Sequence, residues 1–348
     1  MTLRLPIAGS VPGLFVALLL ALSLLLFPAG PADAAEPSVT RIEPRGLKGD
    51  SAKILNRVTL VGSVQPWHPD QRVRVFIYRD GRKLSSRSLP VAKGQGNEGT
   101  FETKLTIERG SRYGVQARYY GKGGELPVSQ SSSARKSWRV RYPALRRGQC
   151  GRVVKGFRKA LNRMAFVPAR SRCFKGKMER AVLAYRKLNG LGRSARATRH
   201  VVKRVFNLKG SYRVRRPGLG DHVEAPLSRQ VLVFARGKKP YAIFPIASGA
   251  PATPTILGTY SFYRKDAGYN AIGMYYSSYF IRGYAIHGYQ SVPNYPASHG
   301  CLRTFIADQP RIYNLTRLGM PIYTFGNAFA PYRLGRGLPD PAKFDDFG

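Results

Sequence analysis

The stretch YPASHGCLR, residues 295–303, places a serine, a histidine, a glycine, a cysteine and an arginine close together. A cysteine acts as a nucleophile through its thiolate, so a nearby base must remove the thiol proton. His287 and His299, two of only five histidines in the chain, are the candidate bases for Cys301. Gly300 allows a backbone turn in which neighbouring amides converge on one point, where they could stabilise an oxyanion. The stretch therefore predicts a catalytic cysteine.

Two other interpretations of these residues are open at the level of sequence. A lone cysteine is often a small, buried apolar residue. His287, His299 and Cys301 could also supply three ligands to a zinc ion. We favour catalysis because two of the five histidines lie within 15 residues of the one cysteine that we expect to be unpaired.

The N-terminus has the pattern of an export signal. Arg4 precedes an apolar run over residues 14–27, and the small-residue sequence ADA follows at 32–34. The run of about 14 residues is shorter than the roughly 20 that span a bilayer. We therefore predict a signal peptide over residues 1–34 and a secreted protein of the cell wall or periplasm. The alternative is an uncleaved anchor, the one case in which we expect membrane contact.

Cysteine usage predicts one disulfide. Three cysteines are an odd number for an oxidising compartment, where pairing is expected. Cys150 and Cys173 lie in one segment, whereas Cys301 is far away in the sequence. The economical pairing is Cys150 with Cys173, which stabilises the fold by roughly 3 kcal/mol through loop closure. Cys301 is then a free thiol.

The chain of 348 residues is strongly basic, with 58 Lys and Arg against 18 Asp and Glu and a formal charge of +40. Such a field attracts polyanions. For an exported protein we expect these to be anionic wall polymers and not nucleic acid. The cations are scattered through every segment, so a generic solvated surface is the alternative explanation.

Residues 36–142 predict a β domain. Apolar and polar residues alternate along four stretches, and turn signals such as Asp80-Gly81 separate them. The predicted strands lie within 57–64, 72–89, 99–107 and 113–121. Their pattern resembles the immunoglobulin-like β-sandwich modules of bacterial surface proteins.

Residues 145–209 predict a helical domain. Apolar residues recur at helical spacing in three segments, around 154–164, 178–188 and 201–206. The segment resembles the three-helix peptidoglycan-binding module of wall enzymes, which it matches at Tyr185, Asn189, Gly190 and Leu191. It departs from that module at CFKGK, residues 173–177, and at Arg186. The resemblance implies either peptidoglycan binding or a helical spacer.

Residues 222–326 return to a β-rich pattern and predict the catalytic domain. We expect a hairpin over 229–249 and a helix over 307–319. Further strands are expected at 258–265, 284–289 and 321–325. The Gly- and Pro-rich residues 327–348 predict a loose tail.

Within this domain, AIHGY at 285–289 and SHGCLR at 298–303 resemble the signature of the YkuD-type L,D-transpeptidases. The run ASGAPATPTILGTYSF, residues 247–262, is similar to a further part of that family's pattern. So is ADQPRIYNLTRLGMPIYTF, which includes Asp308. The spacer between His287 and Cys301 is a few residues shorter than in most members, which suggests a shorter loop over the site.

The resemblance implies a β-rich catalytic fold with no metal and no organic cofactor. It implies that Cys301 is the nucleophile and His287 its base, oriented by the Gly288 carbonyl. The amides of Gly300 and Cys301 would form the oxyanion hole. His299 would hold the loop. We assign substrate binding to Ser298, Arg303 and Tyr275.

The sequence thus predicts a multidomain, mainly β protein: an Ig-like sandwich, a small three-helix module and an L,D-transpeptidase domain. The expected reaction is 3→3 cross-linking of peptidoglycan stem peptides through a cysteinyl acyl-enzyme, with release of D-alanine. Two alternatives share the same residues or modules. One is an L,D-carboxypeptidase, in which water is the acceptor, and the other is a non-catalytic scaffold that binds the cell wall.

Overall fold

Strands predominate over helices in the computed structural model, which describes residues 38–122, 131–168 and 172–330. The mainly β fold class is therefore confirmed. The predicted signal peptide, residues 1–34, lies outside the described residues, as does most of the predicted tail at 327–348. No helix of the described ranges is long and apolar enough to cross a membrane.

The N-terminal region is formed by two sheets whose inner faces share one hydrophobic core. One sheet has the strand order β1-β3-β7-β6 and the other β2-β9-β8-β4-β5. The strands are β1 (Ser38–Arg45), β2 (Ser51–Lys53), β3 (Arg57–Gln65), β4 (Gln71–Arg79), β5 (Arg82–Pro90), β6 (Ala92–Lys93), β7 (Gly99–Thr106), β8 (Arg112–Lys122) and β9 (Lys136–Arg141).

Alternation of buried and exposed residues explains why these segments form strands. Along β4, Val73, Val75 and Ile77 are buried, and the residues between them are more exposed. Asp80 and Gly81, both with positive φ, form the turn that joins β4 to β5. All four predicted stretches are strands. Strands β1, β2, β6 and β9 were not predicted, since they are short or lie outside the alternating stretches.

Three helices follow, and each coincides with a predicted segment. They are α1 (Arg152–Arg163), α2 (Lys177–Leu188) and α3 (Arg199–Phe206). Helix α2 ends at Asn189, and Gly190 follows with a φ of +64°, which suits a helix stop. Their apolar faces join the same core as the β domain, together with Val231, Val233 and Ile243 of the following domain.

The C-terminal domain contains two sheets and one helix. The sheet orders are β12-β11-β10-β18-β13 and β14-β15-β16-β17. The elements are β10 (Asp221–Pro226), β11 (Val231–Arg236), β12 (Lys239–Pro245), β13 (Gly258–Ser261), β14 (Arg264–Tyr269), β15 (Tyr275–Ile281), β16 (Tyr284–Tyr289), β17 (Leu302–Phe305), α4 (Gln309–Leu315) and β18 (Pro321–Phe325).

Two predictions for this domain need correction. The single strand expected at 258–265 is two strands, β13 and β14, which belong to different sheets. The helix expected over 307–319 is the shorter α4, because Thr316 leaves the helical conformation with a ψ of 142°. Leu318, which would share a face with Ile312 and Leu315 in the longer helix, lies beyond α4 and is 63% exposed.

Helix α2 docks on the C-terminal domain through polar contacts as well as apolar ones. Arg180 makes a buried bidentate ion pair with Asp308, at 2.7 and 3.0 Å. Lys187 Nζ donates to the Ile246 carbonyl at 2.8 Å, and burial lowers the pKa of this amine well below its ordinary value. The helical segment is therefore attached to the strands that carry the predicted catalytic residues.

Candidate active site

Strand register brings the predicted catalytic residues to one face of a sheet. Strands β16 and β17 run parallel, and His287 pairs with Arg303. Cys301 lies two residues before Arg303. Because side chains alternate along a strand, His287 and Arg303 point to the same side. Cys301, which immediately precedes β17, packs against Ala285, and Ala285 points to that side as well. Ile286 and Leu302 point to the other side and join the core.

The imidazole of His287 is held in one tautomer. Nδ1 lies 2.9 Å from the Gly288 carbonyl oxygen, which can only accept a hydrogen bond. Nδ1 therefore carries the proton, and Nε2 is the nitrogen that can accept one. The backbone carbonyl of His287 accepts a hydrogen bond from Thr304 Oγ1 at 3.1 Å. The histidine is thus fixed both at its ring and at its main chain.

Burial sets the protonation state of both groups. His287 is 3% exposed, and burial lowers the pKa of its imidazole from 6.5 to about 4; the Gly288 carbonyl opposes this shift, and Arg303 adds to it. Burial also raises the pKa of the Cys301 thiol, against smaller lowering effects of the Ala285 amide and Arg303. Both shifts favour a neutral imidazole and a protonated thiol over an imidazolium–thiolate ion pair.

The thiol has its own contacts in the resting site. Cys301 Sγ accepts from the Ala285 amide at 3.4 Å and lies 3.5 Å from the Gly283 carbonyl oxygen, to which it can donate. Within the described ranges it has no hydrogen bond to a histidine. Sulfur hydrogen bonds are weak, so these two contacts oppose little the movement of the thiol that proton transfer to His287 would need.

The loop before Cys301 is braced by the segment that follows β12. The Ser248 carbonyl accepts the amides of Ala297 and Ser298, at 2.8 and 3.0 Å. Thr255 Oγ1 donates to the Gly300 carbonyl at 2.7 Å. Residues 247–262 therefore help to hold the loop that precedes Cys301 in place.

Gly300 is required by both its conformation and its surroundings. Its φ is +110°, and a Cβ at this position would lie 2.5 Å from the ring of Tyr284. Its amide donates to Ser298 Oγ at 3.1 Å, whereas the Cys301 amide makes no hydrogen bond within the described chain. Of the two amides expected in the oxyanion hole, that of Gly300 must therefore give up an internal bond to bind an oxyanion.

Ser298 acts within the protein and not at its surface. It is 1% exposed, and its hydroxyl donates to the Cys301 carbonyl at 2.6 Å while accepting the Gly300 amide. This geometry indicates that Ser298 positions the loop that carries Cys301. It gives less support to the substrate binding that we expected from the sequence.

Arg303 offers a cation beside the reactive pair. Its guanidinium stacks on the ring of Tyr289, with 4.2 Å between the guanidinium carbon and the ring centroid. The Tyr289 ring also meets that of His287 edge to face, at 5.6 Å. In the described structure no carboxylate forms an ion pair with Arg303, so its charge is available to a substrate carboxylate.

Tyr275 is not brought to Cys301. It pairs with Gly288, whose missing side chain would point away from the face of His287. A Cβ at Gly288 would lie 3.2 Å from the Tyr275 ring and 3.0 Å from Gln309 Cβ. Tyr275 therefore covers the opposite face of the sheet, and its expected substrate contact has no support in this geometry.

His299 is exposed, unlike His287. The described residues contain no group of three His, Cys, Asp or Glu side chains close enough to hold a metal ion. Cys150 and Cys173 are joined by a disulfide, with Cα atoms 4.0 Å apart, between the start of α1 and the approach to α2.

Sequence patterns did not indicate the support beneath His287. Gln309 is fully buried at the start of α4, and its side-chain oxygen shares the single hydroxyl hydrogen of Thr304 with the His287 carbonyl. Its amide group donates to the carbonyls of Tyr276, at 2.5 Å, and Ile286, at 3.4 Å. Its neighbour Asp308 binds Arg180 of α2. No spacing or motif identifies Gln309, Thr304 or Tyr289, because their roles arise from contacts between separate elements.

The comparison with known families agrees with this geometry. Residues 220–324 match the family model of YkuD, the L,D-transpeptidase catalytic domain. This part of the chain is a YkuD-type catalytic domain. This match supports a transpeptidase function, the modification of peptidoglycan. No curated protein matches the chain.

Solved L,D-transpeptidases are among the similar structures. One from Xylanimonas cellulosilytica is 25% identical, with a TM-score of 0.48, covering 53% of this chain and 98% of its own. One from Stackebrandtia nassauensis is 18% identical, with a TM-score of 0.34, covering 55% and 99%. One from Mycobacterium tuberculosis is 11% identical, with a TM-score of 0.28, covering 83% and 98%. Because these TM-scores are below 0.5, the assignment of the YkuD domain rests on the family match.

Proposed function

We propose that the protein is an exported L,D-transpeptidase that forms 3→3 cross-links between peptidoglycan stem peptides. The observation that carries the proposal is the placement of His287, on β16, and Cys301, the residue before the parallel strand β17, on one side of the sheet. His287 is buried there with Nδ1 bonded and Nε2 left to accept a proton. This is the arrangement that a cysteine acyltransferase requires.

The first half-reaction acylates the cysteine. Cys301 Sγ attacks the carbonyl carbon of the third stem residue while His287 Nε2 takes the thiol proton. The tetrahedral intermediate collapses, and the bond from that carbon to the nitrogen of the terminal D-alanine breaks. The imidazolium returns its proton to the leaving amine. The products are free D-alanine and a thioester on Cys301.

His287 can take part in both directions of this transfer. Because burial holds the pKa of its imidazole near 4, it is neutral throughout the physiological range and free to accept a proton. Towards a thiol of raised pKa it is a weak base, so the proton must move as the sulfur attacks the carbonyl. Once protonated next to Arg303 in a buried site, it is a strong acid and readily gives the proton to the leaving amine.

The developing negative charge on the substrate oxygen needs donors. The Cys301 amide is available for it, and the Gly300 amide can join if the oxygen replaces Ser298 Oγ as its acceptor. This exchange costs one hydrogen bond in the ground state and recovers it as a charge-assisted bond in the transition state.

The second half-reaction transfers the acyl group. The side-chain amine of a neighbouring stem attacks the thioester carbonyl and loses a proton to His287. The carbon–sulfur bond then breaks, and the Cys301 sulfur recovers the proton. A new amide joins the two stems. No metal or organic cofactor takes part in the proposed steps.

Arg303 gives the site a preference for an anionic donor. We assign to its guanidinium, stacked on Tyr289, the binding of the donor's carboxylate. His299 remains assigned to the loop, with an exposed side chain. Export to the wall or periplasm is also part of the proposal, and its support is the predicted signal sequence and the Cys150–Cys173 disulfide.

Product analysis tests this function. The purified protein is incubated with a stem tetrapeptide ending in D-alanine, and products are separated by mass spectrometry. We expect a peptide dimer with loss of one D-alanine, and no product from Cys301→Ser. Free tripeptide without dimer would identify a carboxypeptidase and refute transpeptidation. No turnover by a folded protein would favour the wall-binding scaffold.

A further inference from the structure

A groove lies between helix α1 and the β domain. It has a volume of about 480 Å³ and is lined on one side by α1 and on the other by the end of the β domain around Glu108. Its charged lining is one carboxylate, Glu108, and five cations, which are Arg109, Arg152, Lys155, Lys159 and Arg163.

Four of these cations form a row along α1. Their spacings of three, four and four residues keep them on one side of the helix. At a rise of about 1.5 Å per residue, the row extends over about 16 Å with a charge roughly every 5 Å. The opposite side of α1 is the buried one, formed by Val154, Phe157 and Leu161.

The described part of the protein does not itself bind the side chains of these four cations. In the part of the chain that the structure describes, none of the four side chains takes part in an ion pair or a hydrogen bond, and all four are exposed. Lys155 and Lys159, and Lys159 and Arg163, are like-charge pairs at i,i+4, which destabilise a helix. In α2, by contrast, Arg180 and Lys187 are buried and bonded to the catalytic domain. The α1 charges are therefore available to an external anionic ligand.

The floor of the groove restricts which anion fits. Leu55, Phe206 and Leu208 make it apolar, and Gly156 lets α1 approach so closely that a Cβ there would lie 2.5 Å from Leu55 Cδ1. Phe206, the aromatic residue of the lining, is buried, so nucleic-acid bases have no exposed ring on which to stack. A concave groove also fits a single extended chain better than a flat membrane surface.

We propose that this groove binds a linear phosphodiester polymer, with successive phosphates on the α1 cations and the carbon links between them on the apolar floor. The repeated single charges and the apolar contacts between them match such a chain. The groove shares no residue with the catalytic site, so the inference goes beyond transpeptidation and would tether the enzyme to an anionic polymer while Cys301 acts on peptide.

Binding of a defined polymer tests the proposal. A fluorescent poly(glycerol phosphate) oligomer is titrated with the full-length protein, and anisotropy gives the dissociation constant at several salt concentrations. Lys155→Ala/Lys159→Ala should weaken binding at least tenfold and reduce the slope of log Kd against log salt by roughly one to two. The matched control Lys238→Ala/Lys239→Ala removes the same charge from an exposed hairpin turn and should weaken binding less than twofold.

The outcomes separate specific from general attraction. Equal losses of affinity in the two double variants would show that the polymer is attracted only by the overall positive charge of the protein. That result would overturn the proposed binding in the groove. Equally tight binding of poly-glutamate, with the same dependence on Lys155 and Lys159, would overturn the phosphodiester assignment in favour of an acidic peptide. Both variants should retain the acylation rate of the unaltered protein, so a failure here is distinct from a failure of the proposed transpeptidase function.

Discussion

The end of strand β16 and the loop before β17 each present a histidine near Cys301, and the two are held in opposite ways. His287 is buried, its ring is bonded to Gly288, and its main chain is supported by Thr304. His299 is exposed on a loop whose backbone is well braced but whose imidazole makes no hydrogen bond within the described residues. Under the proposed mechanism, proximity in sequence to the cysteine is a poor guide to which histidine is the base. Burial and a fixed tautomer are better guides.

Replacing each histidine by alanine should give the largest difference in acylation rate between the two positions. His287→Ala should lower the rate of acylation by a tetrapeptide donor by about 10²–10⁴-fold, the usual contribution of a general base. His299→Ala should lower it less than tenfold, because it alters only an exposed side chain. Quenched-flow mass spectrometry measures both rates. Comparable losses in the two variants would transfer part of the base role to His299.

The stability of the protein should also depend on the buried ion pair between Arg180 of α2 and Asp308, which precedes α4. Arg180→Ala leaves Asp308 uncompensated next to Gln309 and should destabilise the protein by about 3–5 kcal/mol. The matched control is Arg139→Ala, since Arg139 and Asp50 form an ion pair at 3.1 Å with side chains 68% and 66% exposed. That change should cost about 0–1 kcal/mol. Urea unfolding compares them, and similar values would mean that α2 does not hold α4 in place.

Replacing Arg303 should show whether this residue binds the substrate carboxylate or takes part in proton transfer between Cys301 and His287. Arg303→Ala should reduce acylation by about 10–100-fold, the value of one charge-assisted hydrogen bond of about 1.5–3 kcal/mol. With a donor whose terminal carboxylate is replaced by an amide, the same variant should change the rate little. Steady-state assays with both donors decide the point. An equal loss with the amide donor would assign Arg303 to the reactive pair and not to carboxylate binding.

The pH dependence of thiol reactivity should sharpen the contrast between a neutral pair and an ion pair. Because burial raises the pKa of Cys301, alkylation by iodoacetamide should rise about tenfold per pH unit through neutrality and continue above pH 9. His287, with a pKa of about 4, should add no inflection near 6.5. A reactive plateau between pH 5 and 8 would indicate an imidazolium–thiolate pair.

The sequence predicted most of the strands and the motif residues because both are local signals. Alternation defined β3, β4, β7 and β8, and AIHGY and SHGCLR marked His287 and Cys301. Strand β15 was missed because its central residues are buried on both faces, and β17 because it has only four residues.

The residues that support the site could not be predicted in the same way. Arg180 and Lys187 are cations on an amphipathic helix, where exposure is the usual state. Their burial follows from how α2 meets the strands of another domain. Arg152, Lys155, Lys159 and Arg163 on α1 look equivalent in sequence but remain exposed. Tertiary contacts, which local patterns do not encode, decide between these two uses of charge.

The central claim is that Cys301 becomes acylated by a stem peptide. Its most direct test is intact-protein mass spectrometry followed by peptide mapping, after a short incubation with the tetrapeptide donor and an acid quench. The account predicts an increase equal to the tripeptide acyl group, located on Cys301 and lost in Cys301→Ser, with Cys150 and Cys173 still joined. A folded protein that gains no mass, or carries the acyl group on another residue, would contradict it.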